Sequence, residues 1–237
     1  MTTLKQVIAT GANAHGFAFC DSRGAGELWR WSHKVLDLIG IEEPNLTLIK
    51  VERLPGISPV TTVVRQGSSS QSLTWTIDAY PGACSSRLQQ ISTLTPAQCH
   101  AALILLGGVN DAVQFYDQGN ASYAPVYTML NHWNAIKWLV ANRGCTVGVM
   151  NDCWRGSNLF EPGVSLCHYS NAIELAVQRE GVDLINSKAL FNGHWNQTGQ
   201  AGQGNWFPFP DDRVHFGGEP NLLLARLCMP ALGYPIV

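Results

Sequence analysis

The chain has 237 residues, 46% of them hydrophobic and 14% charged, with a formal net charge of -2. That length and apolar content suit a single domain over residues 1–237, and the scattered Lys and Arg offer no basic stripe for a nucleic-acid backbone. No apolar run approaches the roughly 20 residues of a membrane-spanning helix, and no apolar signal-peptide stretch stands at the N-terminus, which favours a cytoplasmic or virion-associated protein over a classically secreted one.

"GFAFCDS" (16–22) reads as a strand, and it leads into "GELWRWSHKVLDLIG", where Leu28, Trp31, Val35 and Leu38 recur at helical spacing and Gly40 supplies a stop. Residues 44–75 are rich in Thr, Val and Ser with Gly/Pro punctuation, so extra strands or a hairpin decorating the sheet edge are expected there. "LTWTIDAYPG" (73–82) is the next strand, followed by a helical "ACSSRLQQI". "AALILLGGVND" (101–111) is a nearly unbroken apolar run ended by two glycines, as in a strand covered on both faces.

A long helix over 123–143 follows, with Gly144 as its C-cap. "CTVGVMND" and "GVDLINSKALF" are two further strands around the helical "YSNAIELAVQREG". The closing helix, "EPNLLLARLCMPAL", carries Pro220 in its first turn. Strands alternating with helices imply a mainly parallel sheet with helices on both faces.

Seven cysteines stand at 20, 84, 99, 145, 153, 167 and 228, an odd count with no C-x-x-C pair. Cys20, Cys145 and Cys228 fall in apolar runs, where Cys behaves as a small buried hydrophobe. Reduced thiols are favoured over a disulfide framework, with one surface disulfide left open.

In an open parallel sheet, sites form beyond the carboxyl ends of the strands. Ser22 follows the first strand, Gly82 the second and Asn110 the third. "PDDRVHFGGEP", before the closing helix, adds Asp212 and His215. Ester hydrolysis needs each of these groups. Ser22 becomes a nucleophile if His215 takes its proton, and Asp212 would hold the imidazole in the right tautomer. The backbone N–H groups of Ser22 and Gly82 and the Asn110 amide could bind the developing oxyanion. Asp211 competes with Asp212 for the orienting role.

Four short blocks in order resemble the SGNH (GDSL-type) hydrolase family. Cys20-Asp21-Ser22-Arg23-Gly24-Ala25-Gly26 is similar to its Gly-Asp-Ser-x-x-x-Gly, and Gly82 to the second-block glycine. Gly108-Val109-Asn110-Asp111 matches Gly-x-Asn-Asp, and Asp212-Arg213-Val214-His215 matches Asp-x-x-His. The resemblance implies a flavodoxin-like three-layer α/β/α fold and a metal-independent serine hydrolase needing no cofactor. Catalytic Ser22, Asp212 and His215, with an oxyanion hole of Ser22, Gly82 and Asn110, are what it implies for the site. Asp212 is preferred to Asp211 on the family's spacing. Cys20 departs from the family glycine and makes "CDSRG" a near-miss to the elbow of α/β-hydrolases.

Each residue alone has a plainer reading: Ser22 as a helix N-cap, Gly82 as a turn, Asn110 and Asp111 as caps, Asp212 and His215 as a solvated loop. Their order along one chain favours the catalytic one. His33 and His132 sit in helical patterns and read as surface or packing residues, and no zinc-type His/Cys spacing occurs. Trp195, Trp206 and Phe207, in an amide-rich loop before Asp212, suit stacking on sugar rings, or equally staple the loop down. The expected substrate is a small-molecule or polysaccharide ester, most simply an O-acetylated carbohydrate. A lipid, aryl-ester or thioester acylhydrolase and a catalytically silent carbohydrate-binding module are the alternatives, and a homo-oligomer is left open.

Overall fold

The computed structural model describes residues 1–24, 30–151, 166–189 and 218–236. Among the described residues, seven strands form one sheet: β1 (Ala14–Cys20), β2 (Thr47–Arg53), β3 (Val60–Arg65), β4 (Ser72–Ala79), β5 (Ala101–Leu105), β6 (Thr146–Met150) and β7 (Asp183–Ile185). Their order is β3-β2-β4-β1-β5-β6-β7, with β3 antiparallel to β2 and all other pairs parallel. Without β2 and β3, the order of the remaining five is that of a flavodoxin-like sheet, second-first-third-fourth-fifth in chain order. The 44–75 segment is therefore an edge addition: β2 and β3 make a hairpin beyond β4, and residues 72–75 already belong to β4.

Alternation along the strands sorts side chains into two cores. Ala18 and Cys20 of β1, Trp75 and Ile77 of β4, and Leu103 and Leu105 of β5 face one side. There they meet α1 (Leu4–Ala9), α2 (Trp31–Glu42) and α7 (Gly218–Cys228). Phe17, Phe19, Ala102, Ile104, Val147 and Val149 face the other side. They pack on α5 (Pro125–Arg143) and α6 (Leu166–Glu180), with the short α3 (Ile91–Leu94) and α4 (Val109–Ala112) near the strand ends. A strand with a period of two and both faces covered reads as a continuous apolar run, which is why β5 looks unbroken.

Two details depart from the local pattern. Gly40 does not stop α2, which runs on to Glu42. A Cβ there would lie 2.8 Å from Leu48 Cδ1, so Gly40 lets the helix approach β2 closely. The segment after β4 forms a 3-10 turn at Ser85–Gln90 and the single turn of α3 instead of one regular helix. Gly144 does cap α5, at φ 62°. His33 and His132 are both buried; His33 lies 3.0 Å from Glu52, which also holds Lys50 at 2.7 Å.

Candidate active site

β1 and β5 are neighbours, but the chain leaves β1 towards one sheet edge and leaves β5 towards the other. Such a reversal opens a crevice at the carboxyl ends of the two strands, where an open α/β sheet takes its ligand. Ser22 follows β1 and Asn110 follows β5, so both flank that crevice. The backbone ties the strand ends together: Asp21 N–H donates to Leu105 O at 3.2 Å, and Tyr80 N–H donates to Cys20 O at 2.9 Å.

Ser22 opens a 3-10 turn, Ser22–Gly24, closed by Gly24 N–H on Asp21 O at 3.1 Å. It is not the N-cap of α2. That helix begins at Trp31, whose N–H donates to the Asn221 side chain of α7 at 2.9 Å. Ser22 is half-buried and Asp21 is buried.

Cys20 ends β1 in register with Ala79 and Leu105, in ordinary extended backbone. Its thiol is fully buried against Asp78 O at 3.7 Å. A Cβ on Gly24 would stand 2.2 Å from Cys20 Sγ, so the glycine four residues on makes room for the larger side chain.

Gly82 lies in the turn after β4 at φ 74°, a conformation that L side chains rarely adopt. The turn is closed by Ala83 N–H on Tyr80 O at 3.0 Å. Asn110 joins it to the Ser22 loop: its amide nitrogen donates to Ala83 O at 2.9 Å and, more weakly, to Asp21 Oδ2 at 3.4 Å. Residues adjoining Ser22 and Gly82 thus share one side-chain amide.

Asp111 has a larger role than a turn cap. Its carboxylate is fully buried and accepts from Ser85 N–H at 2.8 Å, Ser85 Oγ at 2.6 Å and Thr128 Oγ1 at 3.1 Å. Burial pushes this carboxyl above its ordinary value, against the downward pull of the Ser85 and Thr128 hydrogen bonds. Gly107 and Gly108, at φ 81° and 65°, let the chain fold over it. A Cβ on Gly107 would meet Asp111 Oδ2 at 2.6 Å. The residue after Asn110 thus bolts the loop to the 85–90 turn and to α5. Sequence reading missed Ser85 and Thr128 in this cluster, because neither has a local pattern that singles it out.

Beside the Gly82 turn lies a cavity of about 350 Å³, lined among others by Tyr80, Cys84, Arg87, Gln90, Gln114 and Tyr123. Gln114 belongs to a π-helical turn, Val113–Asp117, an irregularity common at functional sites. Arg87 donates to the buried Asp78 at 2.7 Å and stacks 4.3 Å over the Tyr80 ring. Asp212 and His215 lie outside the described residues, as do Trp195, Trp206 and Phe207.

No family model matches the sequence, and no curated protein matches it either. Solved structures do match. An acetyl xylan esterase from Geobacillus stearothermophilus is 13% identical, with a TM-score of 0.68 over 95% of this chain and 97% of that one. A second acetyl xylan esterase is 14% identical, with a TM-score of 0.62 over 92% and 99%. A protein from Parabacteroides merdae described as a GDSL-like lipase is 11% identical, with a TM-score of 0.68 over 94% and 96%. The likeness is one of fold: this chain has the three-layer α/β fold of SGNH hydrolases.

Proposed function

We propose that the protein is a serine esterase, a single domain over residues 1–237, that removes O-acyl groups, chiefly O-acetyl, from carbohydrate. The observation that carries this reading is the meeting of three strand ends: Ser22 after β1, Gly82 after β4 and Asn110 after β5, linked by one amide. Ser22 Oγ attacks the acyl carbon while His215 takes its proton, and Asp212 orients the imidazole. The oxyanion receives the N–H groups of Ser22 and Gly82 and the Asn110 amide, which swings from its weak contact with Asp21. His215 then protonates the leaving sugar oxygen, which departs as a free hydroxyl, and water releases the acyl group by the reverse proton path. Trp195, Trp206 and Phe207 would stack on the sugar.

The acetyl xylan esterases among the fold neighbours support the acetyl and carbohydrate halves of this reading. Gly24 accommodates Cys20, so that departure no longer argues for a silent binding module. A fluorophosphonate probe tests the proposal. Mass spectrometry is expected to find the adduct on Ser22, lost in Ser22→Ala and His215→Ala. Folded wild-type protein without an adduct on Ser22 would sink it.

A further inference from the structure

We infer that the cavity beside the Gly82 turn receives the alcohol half of the ester and is built for a neutral, polyhydroxylated ring. The inference rests on the esterase reading above and names which part of the substrate lies where.

Position comes first. Gly82 and Ala83 line both the cavity and the strand-end cluster, so a group bound here adjoins an acyl carbon held at Ser22. The lining comes second. Ser86, Arg87, Gln90 and Gln114 bring hydroxyl, guanidinium and amide groups, and Tyr80 and Tyr123 bring aromatic surface. Tyr80 keeps 40% of its surface open with one ring face under Arg87. Amides beside aromatic faces match a sugar, whose hydroxyls both donate and accept while its C–H faces stack. A long acyl chain would leave those amides without hydrogen bonds as it displaced their water. About 350 Å³ is at the small end for ligand sites, which suits one or two rings.

Charge selects among sugars. The Arg87 cation is already paired through Nη2 with the buried Asp78. Two buried carboxylates lie behind the wall: Asp111 accepts the N–H of Ser85, next to Cys84, and Asp21 accepts from the Asn110 amide that also donates to Ala83 O. The Cys84 thiol is pushed up to about 12, first by burial and then by the Asp111 and Asp21 carboxylates. An anionic ring bound against Ala83 and Cys84 would be repelled by the two carboxylates behind them, and Arg87, the one cation among the described lining residues, is already paired with Asp78.

The experiment compares kcat/KM for 4-nitrophenyl acetate, a mono-O-acetylated methyl xyloside and mono-O-acetylated galacturonic acid in the wild type, Gln90→Leu and Gln114→Leu. Both glutamines are at least partly exposed, so the variants are expected to keep the wild-type melting temperature. The xyloside-to-aryl ratio is expected to fall about tenfold in each variant, as for the loss of one hydrogen bond near 1.4 kcal/mol. The wild type is expected to favour the xyloside over the galacturonate at least tenfold. An unchanged ratio in both variants overturns the subsite, and equal or better use of the galacturonate overturns its neutrality. If the wild type turns over none of the three, the esterase reading fails separately. Binding of unacetylated methyl xyloside, followed by NMR in the wild type and Gln114→Leu, then decides the subsite: no binding, or binding equal in both, overturns it.

Discussion

Cys20 and Gly24 share one volume: a Cβ on Gly24 would lie 2.2 Å from Cys20 Sγ and 2.9 Å from Cys20 Cβ. Neither atom can retreat easily, because Cys20 is fully buried at the end of β1. Gly24→Ala is therefore expected to destabilise the fold by about 1–3 kcal/mol, the usual range for overpacking a filled core. The companion change Cys20→Gly empties the clash. In a double-mutant cycle by urea denaturation, the paired variant should be more stable than the sum of the single changes by 1 kcal/mol or more. Strict additivity would show that the two side chains do not compete.

Gly82 is held to glycine for a different reason. Nothing lies within 4 Å of a Cβ there, but its φ is 74°. Gly82→Ala is expected to cost about 1–2 kcal/mol of backbone strain and to turn the proposed oxyanion N–H aside. Asn110→Ala removes the shared amide outright. Kinetics with an acetyl ester should show kcat down about 10²–10³-fold for Asn110→Ala with little change in KM, since the donor acts on charge that develops after binding.

Asp111 anchors the loop that carries Asn110. Asp111→Ala would leave the Ser85 N–H, the Ser85 hydroxyl and the Thr128 hydroxyl without their acceptor. A loss of about 3 kcal/mol or more is expected, against about 1 kcal/mol for Thr128→Val, which removes a single donor. Equal losses by thermal or urea denaturation would refute the idea of Asp111 as a shared hub.

His132 gives stability a pH dependence. It is fully buried on α5 with Nδ1 2.8 Å from Thr128 O. Burial pulls its pKa down from 6.5 to about 4, against the upward pull of the Thr128 and Leu106 carbonyls. The unfolded chain therefore gains this proton near pH 6.5 and the folded one only near pH 4. The stabilisation is complete above about pH 6.5 and is lost as pH falls towards 4, amounting to about 3 kcal/mol. His15 and His33, also lowered by burial first, act in the same direction. Unfolding free energies at several pH values should show a shallower decline for His132→Phe than for the wild type. Parallel curves would remove His132 from the account.

Much of the architecture was legible in the chain because buried strands and helices write their periodicity locally. The continuous run of β5, the alternation of β1 between Phe17/Phe19 and Ala18/Cys20, and the Gly144 cap each depend on residues a few positions apart. The strand-end positions of Ser22, Gly82 and Asn110 followed from the same local signals.

What only the tertiary structure decided involves residues far apart in sequence. Gly16 leaves room for Trp75 in the neighbouring strand, where a Cβ would come within 2.1 Å of the indole. The first turn of α2 is satisfied by Asn221, 190 residues away. Asp111 takes its partners from the 85–90 turn and from α5. Gly40 looked like a helix stop because glycine is a poor helix former, but close packing on Leu48 outweighed that propensity. A one-dimensional pattern records which face of an element is buried. It does not record which volume, donor or charge a distant segment brings to that face, and those set this protein's glycines, buried carboxylate and polar cavity.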